Sequence, residues 1–151
     1  MKKILFAAIC LFSLGSFVLA QDVTPAMKTD FLSKVKAAVT QKDFKAFSLL
    51  YSRKGTVDPT MKEQFNKMSQ DTFNLLSAIP SPDYEFAAPS ATQPASFTYK
   101  GKTYEPNLKI VAMLQFHDPN GAPNTAASGT WSFPMGIENG VLTIVQTVLK
   151  P

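Results

Sequence analysis

The sequence is poor in the side chains that most often carry out chemistry in proteins. Its 151 residues include one cysteine, one histidine and one tryptophan, and only 17% of them are charged. Because Cys10 and His117 are single, the chain cannot form an internal disulfide or a metal site built from several thiolates or imidazoles. Its seven glycines are scattered, so a phosphate-cradling glycine loop is excluded too. These absences argue mostly against an enzyme, and they predict no cofactor.

Long hydrophobic runs are also scarce, and the one that stands out lies at the N-terminus. A charged start, Met1–Lys3, leads into the nearly unbroken apolar run Ile4–Leu19, which is the pattern of a signal peptide. Val18 and Ala20 place small residues at the two positions that signal peptidase reads, so we predict cleavage before Gln21. The run is short for a membrane span, and no basic stop-transfer cluster follows it.

The mature chain, residues 21–151, is therefore expected to be a single exported domain. It has the length of one domain and is long enough to bury a core without disulfides. Lys2 and Lys3 leave with the signal peptide, so the formal net charge falls by two from +4. The small positive charge of this exported chain gives no reason to expect a nucleic-acid partner. We expect a periplasmic or secreted protein without membrane attachment after cleavage.

Helical spacing dominates the first half of the mature chain. A threonine followed by proline, then apolar residues three or four apart, predicts a helix over 25–40. Asp43 is the predicted N-cap of a second helix that runs to Gly55. Asp58 and the proline after it repeat the start signal for a third helix, which the prolines from Pro80 onwards end.

The second half changes to a period of two and predicts strands. The segment Leu108–Phe116 has apolar residues on both faces, so we expect it at the centre of a sheet. Val141–Leu149 has the same character and is its expected companion. Shorter strands are predicted on either side of the central strand.

Two dipeptides predict β-hairpins in this half of the chain. Lys100-Gly101 can form a two-residue turn that places Thr98 opposite Thr103, and Asn139-Gly140 is the stronger signal of the same kind. A strand is predicted over Gly129–Phe133, and Pro134 and Gly136 predict a bulge or a break after it.

Three helices followed by strands predict an α+β fold in which the helices cover one face of the sheet. This order, with the step Gln41–Phe44 between the first two helices, resembles the NTF2-like (cystatin-like) superfamily. Tyr99–Tyr104 together with Pro134–Gly140 is similar to small secreted bacterial proteins without an assigned activity. The resemblance implies three N-terminal helices packed on a curved, mostly antiparallel sheet of four to six strands, which wraps a cone-shaped cavity.

Candidate site residues are few, and each has a plainer interpretation as a surface or core residue. His117 and Asp118 are the only adjacent acid–histidine pair, and they follow directly on the predicted central strand. The tyrosines and the single tryptophan have polar tips that suit the mouth of a cavity. The candidate ligand-binding residues are therefore Tyr99, Tyr104, His117, Asp118 and Trp131.

We expect a binding or protein-interaction module that holds a small apolar ligand or a partner protein and has no catalytic activity. The alternative is a cavity enzyme, an isomerase or hydrolase that uses a Tyr/Asp or Asp/His pair. Homodimerisation through the outer face of the sheet is a third possibility. His117 or Asp118 in a closed pocket, within hydrogen-bond reach of a tyrosine hydroxyl, would favour the enzyme.

The predicted signal peptide is tested by the mass of the protein recovered from the cell envelope fraction. We expect a chain that begins at Gln21, because cleavage after Ala20 removes the charged and hydrophobic regions together. Intact-mass spectrometry measures this directly. A chain that keeps residues 1–20 would contradict the prediction and favour a membrane anchor.

Overall fold

The computed structural model describes residues 22–89, 96–120 and 131–150, so the predicted signal peptide lies outside the described residues. Three helices precede the described strands: α1 Pro25–Thr40, α2 Phe44–Ser48 and α3 Pro59–Ala78. The strands are β1 Asp83–Ala87, β2 Phe97–Tyr99, β3 Lys102–Pro106, β4 Ala112–His117, β5 Trp131–Glu138, β6 Val141–Ile144 and β7 Thr147–Leu149. They form two antiparallel sheets, one in the order β1-β4-β5-β6 and one in the order β2-β3-β7. The α+β class is therefore confirmed.

The starts of α1 and α2 lie where the sequence predicts them, because each has a local cap. The Thr24 side chain accepts a hydrogen bond from the backbone N–H of Met27 at the start of α1. The Asp43 carboxylate accepts one from the N–H of Ala46, at 2.9 Å, at the start of α2. Both contacts satisfy backbone donors that the first turn of a helix leaves without a partner.

The predicted end of the second helix at Gly55 is wrong, because α2 ends at Ser48. The chain beyond it pairs with β6 instead: Ile144 N–H donates to the carbonyl of Leu50, and Ser52 N–H donates to the carbonyl of Ile144, both at 2.8 Å. This short parallel bridge gives the backbone of residues 50–52 partners outside the helix. A contact nearly a hundred residues away in the sequence therefore overrides the local helical pattern.

The predicted central strand is correct in place but too long. Strand β4 lies between β1 and β5, as predicted, but it begins at Ala112, so residues 108–111 are not part of it. Asn107 anchors this connection, since its amide donates to the Ser52 hydroxyl and its amide oxygen accepts from the N–H of Gln146. Leu108 then lies against Gly136, where an added Cβ would come within 2.8 Å of the leucine Cβ.

The predicted companion strand, Val141–Leu149, is in fact two strands in two different sheets. Strand β6 pairs with β5 and strand β7 pairs with β3, so neither is a neighbour of β4. The break falls at Val145 and Gln146. Val145 N–H donates to the carbonyl of Pro134 at 2.7 Å, and Gln146 N–H donates to Asn107. These bonds hold residues 145 and 146 at the point where the chain passes from the edge of the four-stranded sheet to the edge of the three-stranded sheet.

The predicted bulge or break at Pro134 is also wrong. Strand β5 runs through this position without a change of register, with Pro134 opposite Met113 and Gly136 opposite Thr143. Proline removes one backbone donor, but its fixed φ is compatible with an extended chain. Its carbonyl still accepts a bond, from Val145.

Both predicted hairpin turns are confirmed. Thr98 lies opposite Thr103 across the first turn, and Glu138 lies opposite Val141 across the second. Lys100 and Gly101 have φ values of 48° and 74°, and Asn139 and Gly140 have values of 52° and 80°. Positive φ at both central residues is the requirement of the turn that matches the twist of paired strands.

The core between the helices and the four-stranded sheet is filled by aromatic rings. Phe47 on α2 is fully buried, and its ring centroid lies 5.1 Å from that of Phe73 and 5.9 Å from that of Phe133. Leu114 and Met135, from β4 and β5, are also fully buried. This interior is packed with side chains of the chain itself.

Truncation of Phe47 tests this account of the core. We expect Phe47→Ala to lower the free energy of unfolding by about 3–5 kcal/mol, because the removed ring leaves a cavity among three packed rings. Leu49→Ala is the matched control two residues away, since Leu49 is 58% exposed, and we expect a change within about 0.5 kcal/mol. Denaturant unfolding measures both, and equal losses would contradict the packing.

Candidate functional site

The five candidate residues lie in two separate regions of the molecule. Tyr99 and Tyr104 belong to the three-stranded sheet, whereas His117 and Trp131 lie at one end of the four-stranded sheet and Asp118 follows β4. Trp131 is opposite Phe116 in the register, and the two rings stack at 5.4 Å. His117 points to the other face of the sheet, because successive residues of a strand alternate.

The acid–histidine pair does not form a catalytic arrangement in this structure. His117 lies 3.6 Å from the carboxylate of Asp83, its partner in the register, and both side chains are substantially exposed. Exposed pairs at this separation contribute little to stability. The Asp118 carboxylate accepts a hydrogen bond from the N–H of Asn120 at 2.9 Å and so holds the turn after β4. Neither residue is among those that line the four cavities described below.

A polar cluster around a buried carboxylate brings Tyr104 together with two residues that the sequence does not mark as its partners. The Tyr104 hydroxyl donates to Asp58 Oδ2 at 2.9 Å, and Lys102 Nζ lies 2.8 Å from the same oxygen. We call these three residues the Asp58 cluster. Asp58 is only 2% exposed, and it precedes the first residue of α3. The cluster therefore ties the start of this helix to strand β3.

The charged groups of the Asp58 cluster act as a structural contact that stabilises the fold. A buried carboxylate is stabilised when charge-assisted hydrogen bonds compensate its loss of water. The hydrogen bond to Asp58 holds the pKa of Lys102 above its ordinary value of 10.5. The sequence shows Asp58 only as a helix start, because its partners lie more than 40 residues further along the chain.

Two other tyrosines are poor candidates for a catalytic base. Burial raises the pKa of Tyr84 to about 12. Burial also raises the pKa of Tyr51, and a hydrogen bond with Ser69 only partly offsets this. Both phenols therefore stay protonated near neutral pH, where an efficient general base needs a pKa close to the working pH.

The most apolar concave surface among the cavities described here is a groove bounded by α1, the end of α2 and β6. We call it the α1–β6 groove, and its volume is about 420 Å³. Residues 34, 37, 38 and 41 share one face of α1, as helical spacing requires. Leu49 and Val141 line the groove and are 58% and 46% exposed. The lining residues are Lys34, Ala37, Ala38, Gln41, Ala46, Leu49, Leu50, Val141, Leu142 and Thr143.

Three further cavities are smaller or more polar. One of about 240 Å³ is lined partly by Phe97 and Tyr104, so Tyr104 is the candidate residue that lines a cavity in this group of four. A polar hollow of about 670 Å³ lies between α2 and α3, beside Tyr51 and Arg53. The third, of about 420 Å³, lies beside Tyr84. The sequence gives no sign that Leu49 and Val141 belong to one surface. Only the fold shows that these two apolar residues lie exposed on the wall of the α1–β6 groove.

Within residues 22–89, 96–120 and 131–150, no group of three or more histidine, cysteine or acidic side chains is placed to hold a metal ion. No helix in these same ranges is long and apolar enough to cross a membrane. Comparison with known proteins finds no family model, no curated protein and no solved structure that matches the chain.

The Asp58 cluster is tested by removing one hydroxyl group. We expect Tyr104→Phe to lower the free energy of unfolding by about 1–3 kcal/mol, because a buried carboxylate loses one of its donors. Tyr99→Phe deletes the same group from an exposed ring on the neighbouring strand, and we expect a change within about 0.5 kcal/mol. Thermal or denaturant unfolding of both variants measures the difference. Equal effects would show that the hydroxyl contact with Asp58 adds nothing.

Proposed function

We propose that this protein is an exported binding module, of the NTF2-like class, that holds a small aliphatic ligand in the α1–β6 groove. The observation that carries the proposal is the exposure of Leu49 and Val141 on a concave surface whose other walls are mostly alanine and leucine. Single exposed apolar residues are common on proteins. Two that line the same groove provide a surface from which a bound aliphatic chain would exclude water.

The size of the groove suits a small molecule. Its volume of about 420 Å³ falls within the range of about 300–1,000 Å³ that is typical of small-molecule sites. Along α1 it extends from Lys34 to Gln41, which is about 10 Å at 1.5 Å per residue. A linear aliphatic chain of medium length can lie along this wall.

The class assignment is supported by the order of the elements. Three helices precede the described strands, the strands pair antiparallel, and the step Gln41–Asp43 lies between α1 and α2. The resemblance implies a curved sheet that wraps a cavity beneath the helices. In this chain Phe47, Phe73 and Phe133 fill the core there, so we place the ligand beside the core and not within it.

None of the four cavities described above is lined by both members of a Tyr/Asp or Asp/His pair. His117 is paired with Asp83 at the surface, and Asp118 is bonded within its own turn. The Tyr104 hydroxyl is bonded to buried Asp58. A Tyr/Asp or Asp/His pair aimed into a shared pocket is what the enzyme alternative requires.

Linear alcohols of different length test the proposal. Full burial of a methylene group is worth about 0.8 kcal/mol, so octan-1-ol, with two more of them, should bind up to about fifteenfold more tightly than hexan-1-ol. Leu49→Gln should weaken the binding of octan-1-ol, because it places an amide on the wall of the groove. Met68→Gln is the matched control, since Met68 is 63% exposed on α3 and does not line the groove. Calorimetry gives the affinities, and NMR shifts of the backbone locate the site.

Three outcomes would overturn the proposal. The first is that neither alcohol binds the mature protein. The second is that both variants weaken binding equally, which would place the alcohol elsewhere. The third is that light scattering finds a dimer that Leu49→Gln converts to a monomer, which would make the groove an interface between two copies.

A further inference from the structure

We propose that the ligand of the α1–β6 groove is an anionic amphiphile, a medium-length aliphatic chain whose carboxylate or similar head group pairs with Lys34. This inference rests on the proposed function and specifies the chemistry of its ligand. It follows from the charge of the groove lining, which places one cation at the rim of an apolar surface. An amphiphile with one anionic end and one apolar end matches both parts of that surface.

Lys34 is the one charged residue among those that line the groove. Gln41 and Thr143 are the neutral polar members of the lining, and no carboxylate belongs to it. Lys34 lies one helical turn before Ala37 and Ala38 on α1, and its side chain is 50% exposed. The methylene groups of a half-exposed lysine can contact apolar surface while its ammonium group stays in water.

The present partner of Lys34 leaves it able to bind an anion. Lys34 Nζ lies 2.7 Å from Asp30 Oδ2, four residues earlier on the helix, and the Asp30 side chain is 59% exposed. Exposed pairs of this kind are weak, and an ammonium group has three donors. A ligand carboxylate can therefore share Lys34 with Asp30 or replace it. Asp30 itself does not line the groove.

The same charge pattern discriminates against other small amphiphiles. A cationic head group would lie beside Lys34 and be repelled by it, whereas an uncharged head group would gain no ion pair. The comparison of one eight-carbon chain with three different head groups therefore isolates the role of the charge. The probes are octanoate, octan-1-ol and octylammonium.

The test measures how substitutions on α1 change the affinity for each probe in low-salt buffer. We expect Lys34→Gln to weaken octanoate binding about two- to fivefold, the size of an exposed ion pair, and to leave octan-1-ol unchanged. Asp30→Asn should strengthen octanoate binding, because it removes the competing carboxylate. Added salt should weaken the binding of octanoate alone. Octylammonium should bind the wild-type protein least tightly of the three.

The matched control is Lys62→Gln, which changes the net charge by the same amount as Lys34→Gln. Lys62 is exposed on α3 and lines none of the four cavities, so we expect octanoate affinity to stay unchanged. If Lys34→Gln leaves octanoate unaffected while octan-1-ol binds, the anionic head group is wrong and the aliphatic ligand stands. If octylammonium binds most tightly, the charge assignment is also wrong. If no eight-carbon probe binds, the proposed function itself fails.

Discussion

The backbone bridge between residues 50–52 and Ile144 holds the chain that follows α2 against β6. Two hydrogen bonds of 2.8 Å end α2 after five residues and hold its last turn against β6. Phe47 thereby enters the core, where it contacts Phe73 and Phe133. The same constraint leaves Leu49 on the outside, at the wall of the α1–β6 groove. Core and candidate site thus depend on one long-range contact, because a five-residue helix is too short to be stable without tertiary packing.

Two side chains connect the remaining parts of the fold. Asn107 bonds to Ser52 and to Gln146, and so joins the β3–β4 connection to the point where the chain passes from β6 to β7. Asp58 joins the start of α3 to β3 through Tyr104 and Lys102. Asp58 is buried and Asn107 is half-buried, and each has specific hydrogen-bond partners in place of water. Such contacts are costly to leave incomplete and therefore favour one arrangement of the sheets.

The proposed function is based on this fold and on the small number of reactive side chains in the sequence. His117, from the acid–histidine pair that is most visible in the sequence, is paired with Asp83 at the surface, and aromatic rings form much of the core. What the described surface offers is an apolar groove with a single cation at its rim. Such a surface supports recognition by shape, apolar burial and charge, and it does not require a reactive group. The proposed binding function is consistent with that chemistry.

Features that depend on neighbouring residues were predictable from the sequence alone. The capped starts of α1 and α2, the third helix and both hairpin turns need only a few adjacent side chains or a permissive φ, as at Gly101 and Gly140. The α+β class follows from the change of hydrophobic period. The site was less predictable: of the five candidates, Tyr104 alone lines one of the four cavities, and its bond to Asp58 had no local signal.

The sequence by itself thus determined the helix starts, the turns and the class of the fold. Only the tertiary structure decided where α2 ends, that residues 141–149 divide between two sheets, and which apolar residues form the α1–β6 groove. The physical reason is the same in each case. A backbone or side-chain polar group can bond locally or with a distant segment, and the choice depends on which partner burial brings within reach. Here Ile144 bonds with residues 50 and 52, and Asn107 bonds with Gln146. No sequence pattern predicts either contact.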